Sequence, residues 1–93
     1  MLEKRIERKF IKEAKRRKLT FYKARTPSRR SAPDRIGLIK GGVTVFIEFK
    51  KPGEVLRPAQ SYCVRTLDEL GFRTYLVSSL EEIDEVLDEI QAL

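Results

Sequence analysis

The spacing of hydrophobic and polar residues along the chain predicts an N-terminal helix followed by three strands. Apolar residues recur at helical intervals over 2–18, whose other side is rich in Lys and Arg. Residues 21–25 are predicted to form a short strand. Residues 34–40 and 43–50 are predicted to form two more, separated by Gly41-Gly42. Because paired glycines accept the positive φ angles of a tight turn, these two strands are predicted to form an antiparallel hairpin.

The second half of the chain predicts a helix, a strand and a closing helix. Pro58 is suited to the first turn of a helix and Gly71 to its end. The apolar side of this helix consists of Ala59, Cys63, Thr66, Leu67 and Leu70. Residues 72–78 alternate as a strand, and Ser79 with Glu82 forms a capping box before the last helix. The predicted order is therefore α-β-β-β-α-β-α.

This order predicts an α/β fold with a mixed sheet flanked by helices. The strand–helix–strand segment 43–78 favours a crossover with parallel strands, whereas the hairpin before it is antiparallel. At 93 residues, 1–93 is expected to be one domain, and self-association would be one way for so small a core to gain stability. No apolar run is long enough to cross a membrane, and the N-terminus lacks the apolar segment of a secretory signal.

Residue types that are rare or absent exclude several classes of site. The chain has no histidine, and Cys63 is its only cysteine. An internal disulfide and a catalytic triad with histidine are therefore excluded, and a zinc site is nearly so. A metal would have to be a hard cation with oxygen ligands. The lone cysteine also fits a reducing compartment, so a cytoplasmic location is expected.

The net charge of +6 is distributed unevenly. Residues 1–35 contain 14 Lys and Arg against 4 Asp and Glu, whereas residues 80–93 contain six acids and no base. This distribution favours one basic face that binds a polyanion and one acidic face in solvent, although Lys-rich helices can also be merely solvated.

Two acids and a lysine are brought together by the predicted hairpin. Asp34 opens one strand, Glu48 lies near the end of the next, and both positions fall at the same end of the pair. Since side chains alternate along a strand, Glu48 and Lys50 share one face. Two neighbouring carboxylates repel each other unless a cation neutralises them, and Mg²⁺ is suited to that role. An isolated Glu-x-Lys is common on surfaces, and Pro33-Asp34 makes this combination more specific.

The segment APDRIGLIKGGVTVFIEFKKPG, with Gln60 after it, resembles the PD-(D/E)-x-K nuclease superfamily and is most similar to its virus-type replication-repair nuclease (VRR-NUC) family. The resemblance covers nearly the whole chain and implies a restriction-endonuclease-like core. It implies Asp34 and Glu48 as metal ligands, the Phe49 carbonyl as a third, and Lys50 as the catalytic lysine. Gln60 would line the site, although the sequence without the resemblance favours an exposed first-turn residue.

The resemblance also implies an acid from the first helix, for which Glu7 is favoured over Glu3. Many relatives have a glycine before Pro-Asp, where this chain has Ser31-Ala32. Basic residues near the motif would contact DNA phosphates without reading sequence. These are Arg29, Arg30, Lys51 and Arg57.

The expected function is therefore a Mg²⁺- or Mn²⁺-dependent, structure-selective DNA endonuclease. The resemblance implies branched DNA such as Holliday junctions as the substrate, a homodimer, no membrane partner, no organic cofactor, and a phage context. Two alternatives stay open. One is a DNA-binding module that does not cut, and the other is an interaction protein of a replication or recombination complex that uses the acidic helix 79–92.

Overall fold

A computed structural model describes residues 2–24 and 32–93, and the order of elements over these residues is the predicted one. Most elements are slightly shorter than their sequence pattern, because the pattern includes residues that flank the regular hydrogen bonds. The first strand begins one residue earlier than predicted, at Thr20. The elements are α1 (Leu2–Arg16), β1 (Thr20–Lys23), β2 (Arg35–Ile39), β3 (Val43–Phe49), α2 (Pro58–Glu69), β4 (Arg73–Val77) and α3 (Glu82–Gln91).

The four strands form one mixed sheet in the order β1-β2-β3-β4. β1 pairs with β2 and β2 with β3 in antiparallel fashion, and β3 pairs with β4 in parallel, which confirms the predicted α/β class. The β2–β3 turn contains Gly41 with φ 90° and Gly42 with φ 79°. Residues other than glycine rarely adopt such angles, which is why the paired glycines predicted the turn correctly.

One face of the sheet, here called the core face, carries the hydrophobic core. Val45, Ile47 and Phe49 of β3 point to this face and are at most 1% exposed. Phe10 of α1 packs edge-on against Phe49 and against Phe21 of β1, with ring centroids 5.4 and 5.2 Å apart. The apolar side of α3 completes the core with Ile83, Val86, Leu87 and Ile90.

The other face, here called the site face, is covered more thinly. α2 packs near β4 and, among the described residues, buries only Gln60 completely. The apolar side predicted for this helix is correspondingly incomplete, since Cys63 is half-buried and Leu70 is 68% exposed. One helix covers only part of this face, so residues of the strands and of α2 itself stay exposed. Leu38 and Leu76 on this face are 48% and 45% exposed.

The predicted capping box at the start of α3 is present with one shift. The Glu82 N–H donates to Ser79 Oγ at 3.3 Å, as expected. The Glu82 carboxylate accepts the backbone N–H of Ser78 rather than that of Ser79, at 3.1 Å. Over the described part of the chain, none of the helices combines the length and hydropathy that crossing a membrane requires.

Candidate active site

The β2–β3 hairpin places Asp34 directly opposite Glu48. Arg35 is the register partner of Ile47, so the residues one step further out on each strand, Asp34 and Glu48, face each other at the end of the sheet. Their carboxyl groups are close enough to share a hydrogen bond. Asp34 Oδ2 also accepts the backbone N–H of Phe49 at 2.8 Å. This bond fixes the Asp34 side chain against the end of β3.

Glu48 is a buried acid in a setting that disfavours its charge. Its side chain is only 4% exposed. Burial raises the pKa of Glu48 to about 8, and the hydrogen bond and negative charge of Asp34 act in the same direction. Lys50 opposes this shift, and Glu3 adds to it. A carboxyl in these surroundings is readily ionised only when a further positive charge arrives.

Lys50 is held beside the two acids by Gln60. The Lys50 ammonium donates to Gln60 Oε1 at 2.9 Å, and the same oxygen accepts the backbone N–H of Arg57 at 2.9 Å. Gln60 is 6% exposed, so it is a buried polar residue and not an exposed first-turn residue of α2. Its amide links the start of α2 to the lysine. Glu54 lies further from the ammonium, at 3.8 Å, and the sequence pattern did not single it out.

The first helix contributes Glu3 to this region, and Glu7 lies elsewhere. Glu3 lines the same pocket as Asp34 and Glu48. Glu7, one turn later, forms an ion pair with Arg35 at 2.8 Å and lines a different groove. The sequence favoured Glu7 because it borders the apolar stripe. In the structure, Ile6 and Phe10 are buried in the core, and this packing positions α1 so that its first turn reaches the pocket.

These side chains surround one open pocket of about 360 Å³. Carboxylates line one part of it, and the Lys50 ammonium with the Gln60 amide lines another. Arg57, one of the residues predicted to contact DNA, also lines the pocket. Lys51 is exposed but is not among the lining residues. Arg29 and Arg30 lie outside the described residues.

The oxygen ligands of this pocket fit a hard divalent cation. Within residues 2–24 and 32–93, no three Asp, Glu, Cys or His side chains are grouped as a ready-made metal cage. Mg²⁺ does not need such a cage, because it is commonly held by one or two carboxylates together with water and substrate phosphate. Asp34 and Glu48 supply two such carboxylates in contact.

Comparisons with known proteins agree with this geometry. No family model matches the chain. A protein of Acyrthosiphon pisum secondary endosymbiont phage 1, named "Putative nuclease p44", is 31% identical over 85 residues, which cover 91% of this chain and 90% of that protein. A solved structure described as a VRR_NUC domain superposes with a TM-score of 0.86 at 20% identity, covering 95% of this chain and 96% of the other. The chain therefore belongs to the same family as the phage protein named "Putative nuclease p44", and its fold is that of the VRR_NUC domain.

Proposed function

We propose that this chain is a metal-dependent endonuclease that hydrolyses DNA phosphodiester bonds, with Asp34, Glu48 and Lys50 at its active site. The observation that carries the proposal is the contact between two carboxyl groups, one of them buried, beside a lysine ammonium in one open pocket. Two neighbouring carboxylates repel each other, so this arrangement does not by itself stabilise the fold. A site that binds a cation and a phosphate uses all three groups.

Asp34 and Glu48 would hold Mg²⁺ or Mn²⁺, with the Phe49 carbonyl as a third ligand. When bound, the ion would supply a Lewis acid for the phosphate and lower the pKa of a coordinated water. The bond from the Phe49 N–H keeps Asp34 turned towards Glu48, so the two ligands are oriented before the ion arrives. Glu3, at the edge of the pocket, is the first-helix acid of this site and would orient water.

Lys50 would donate hydrogen bonds to the attacking water or to the phosphate as negative charge develops on it. Its ammonium has three N–H donors, and one of them is directed to Gln60 Oε1. The Gln60 amide is itself fixed by the Arg57 N–H, so the lysine is held in place before substrate binds. Such preorganised donors contribute more in a half-closed pocket than in water. Gln60 is a positioning residue in this scheme.

The substrate we propose is branched DNA such as a Holliday junction, and the support for it is family resemblance together with the basic N-terminal half. Arg57 at the pocket and Lys51 beside it would contact phosphates that flank the cut. Arg29 and Arg30 precede Asp34 in the chain and would add to these contacts. None of these contacts reads base sequence, which suits an enzyme that recognises the shape of its substrate.

A homodimer would allow paired cuts across a junction, and exposed apolar residues support it. β4 is an edge strand of the described sheet, and Leu76 on it is 45% exposed. The helix α2, which contacts β4, carries Tyr62 and is followed by Leu70, and these residues are 65% and 68% exposed. We expect a second copy to cover this surface. Leu76→Asp should then convert a dimer to a monomer in light scattering, and an unchanged mass would exclude this interface.

Cleavage of defined DNA structures tests the proposed activity. End-labelled four-way junction, flap and plain duplex would be incubated with Mg²⁺, Mn²⁺ or EDTA. We expect cleavage only with a divalent ion, fastest on the junction, and lost in Asp34→Asn. Lys40→Ala serves as the control, because Lys40 is an exposed residue of the β2–β3 turn. Binding without cleavage in every metal would instead make the chain a DNA-binding module.

A further inference from the structure

A groove lined by basic residues runs along α1, away from the active-site pocket. It has a volume of about 520 Å³ and lies between α1 and the strands β1 and β2. Here it is called the α1 groove, and its basic residues are Lys4, Arg8, Lys12, Lys15, Lys23 and Arg35. A second groove, around the first turns of α1, is lined by Leu2, Lys4, Arg5 and Arg8. The two grooves share Lys4 and Arg8, so they form one continuous basic surface.

The positive charge of the α1 groove is poorly compensated. Glu7 is the only acid that lines it among the described residues, and Glu7 is already paired with Arg35 at 2.8 Å. Over the described ranges, Lys4, Arg8, Lys12, Lys15 and Lys23 form no ion pair. The other end of α1 is different, because Arg16 and Arg17 there pair with acids.

Like charges three or four residues apart destabilise a helix. The basic residues that α1 contributes to the groove have this spacing and form a stripe along the helix: Lys4, Arg8, Lys12 and Lys15. The stripe is about 16 Å long at the helical rise of 1.5 Å per residue. That length matches about five nucleotides along one strand of duplex DNA, where charges recur every 3.4 Å of the axis. An extended polyanion would neutralise the whole stripe at once, whereas a single small anion would not.

The α1 groove begins near the active-site pocket, although the two share none of their described lining residues. Glu3 lines the pocket and the next residue, Lys4, lines the groove. On β2, Asp34 lines the pocket and the next residue, Arg35, lines the groove. Because neighbouring residues of a strand point to opposite faces, DNA that leaves the pocket beside the first turn of α1 would pass round the end of β2 to reach the groove.

We propose that the α1 groove binds the phosphate backbone of uncut duplex DNA that flanks the cleavage site. The proposal rests on the proposed function, because it places the flank relative to the cut. The groove supplies affinity and sets the direction in which the substrate extends, while the pocket supplies the chemistry. Substrates that lack about five base pairs on this flank would lose the contacts.

The test compares two double variants that remove the same charge. Lys12→Ala/Lys15→Ala removes two lysines of the groove, and Lys40→Ala/Arg65→Ala removes two exposed bases from the hairpin turn and from α2. Binding of a fluorescein-labelled 20-base-pair duplex would be measured by anisotropy in EDTA, at several KCl concentrations. Without metal no cleavage occurs, so the readout does not depend on the proposed catalytic activity.

We expect the groove variant to bind at least about tenfold more weakly at 0.1 M salt, with a log–log salt slope smaller by about 2. The charge-matched control should stay within about threefold of wild type, because its bases lie away from the groove. Equal losses in both variants would reduce the effect to net charge and overturn the proposal. So would unchanged binding by the groove variant, even if the wild type cuts junctions normally. If the groove variant alone loses affinity but no DNA is cut in any metal, the groove stands and the proposed nuclease activity fails.

Discussion

β3 contributes to both faces of the sheet, and the two faces differ in burial and polarity. On the core face, Ile47 and Phe49 are at most 1% exposed and are covered by α1 and α3. On the site face, Glu48 and Lys50 alternate with them and meet an open pocket under α2. Because side chains alternate along a strand, the buried residues of β3 also fix the positions of the polar residues between them. Under the proposed function, the catalytic residues Glu48 and Lys50 would alternate with buried core residues along the chain.

If this comparison is correct, the largest loss of stability should come from the core face. Ile47→Ala should lower the free energy of unfolding by about 2–5 kcal/mol, because it leaves a cavity between β3 and the helices. Leu38→Ala on the site face should cost less than about 1 kcal/mol, since Leu38 is 48% exposed. Urea unfolding of the two variants measures the difference. Equal losses would mean that the two faces do not differ as described.

The reverse pattern is expected for catalysis. Lys50→Ala should lower the rate of junction cleavage by about 10²–10³-fold, as expected for the loss of a preorganised donor. Its melting temperature should change little, because Gln60 Oε1 keeps its bond from the Arg57 N–H. Single-turnover cleavage measures the first effect and thermal unfolding the second. A variant that cleaves within about threefold of wild type would remove Lys50 from the mechanism.

The two glutamates of α1 allow a finer test of where the site ends. Glu3→Gln should slow cleavage by about tenfold, and Glu7→Gln by less than about threefold, because only Glu3 lines the pocket. The rates would be measured with enzyme in excess over a four-way junction, so that differences in affinity are suppressed. The opposite order would return Glu7 to the active site and contradict the position of α1.

The smallest expected effect is a gain in stability from removing the buried acid. Below its ordinary pKa of 4.5, Glu48 is protonated in both the folded and the unfolded state; because its folded pKa is raised, Glu48 costs stability as pH rises through 4.5 to about 8. Glu48→Gln should therefore melt about 4 °C or more above wild type in EDTA at pH 8.5. The advantage should shrink as pH falls and vanish about one pH unit below the ordinary pKa of Glu48. A lower melting temperature at pH 8.5 would indicate that Glu48 stabilises the fold.

Most of the fold could be predicted because its signals are local. The glycines at 41 and 42 and the alternation of β3 lie within a dozen residues, and they fixed both the hairpin and the pairing of Asp34 with Glu48. The choice between Glu3 and Glu7 could not be made this way. Both lie on nearly the same line of α1, and the packing of that helix on the sheet decides which one reaches the pocket.

The burial of Gln60 could not be predicted from the local sequence either. A glutamine in the first turn of a helix is usually exposed, and nothing in its neighbours predicts burial. Its burial depends on contacts with Lys50 and Arg57, and therefore on the path of the loop between β3 and α2. Local periodicity carries no information about that path. Family resemblance was the signal that identified Gln60.

We propose that the site face of β3 carries metal-dependent phosphodiester chemistry and that the core face provides only structural support. The measurement that tests it most directly is single-turnover cleavage of a four-way junction in Mg²⁺ by Glu48→Gln, with junction binding in EDTA measured beside it. We predict a rate at least about 10³-fold below wild type, with undiminished binding and a folded protein. A Glu48→Gln variant that cleaves at more than about a tenth of the wild-type rate would contradict the account.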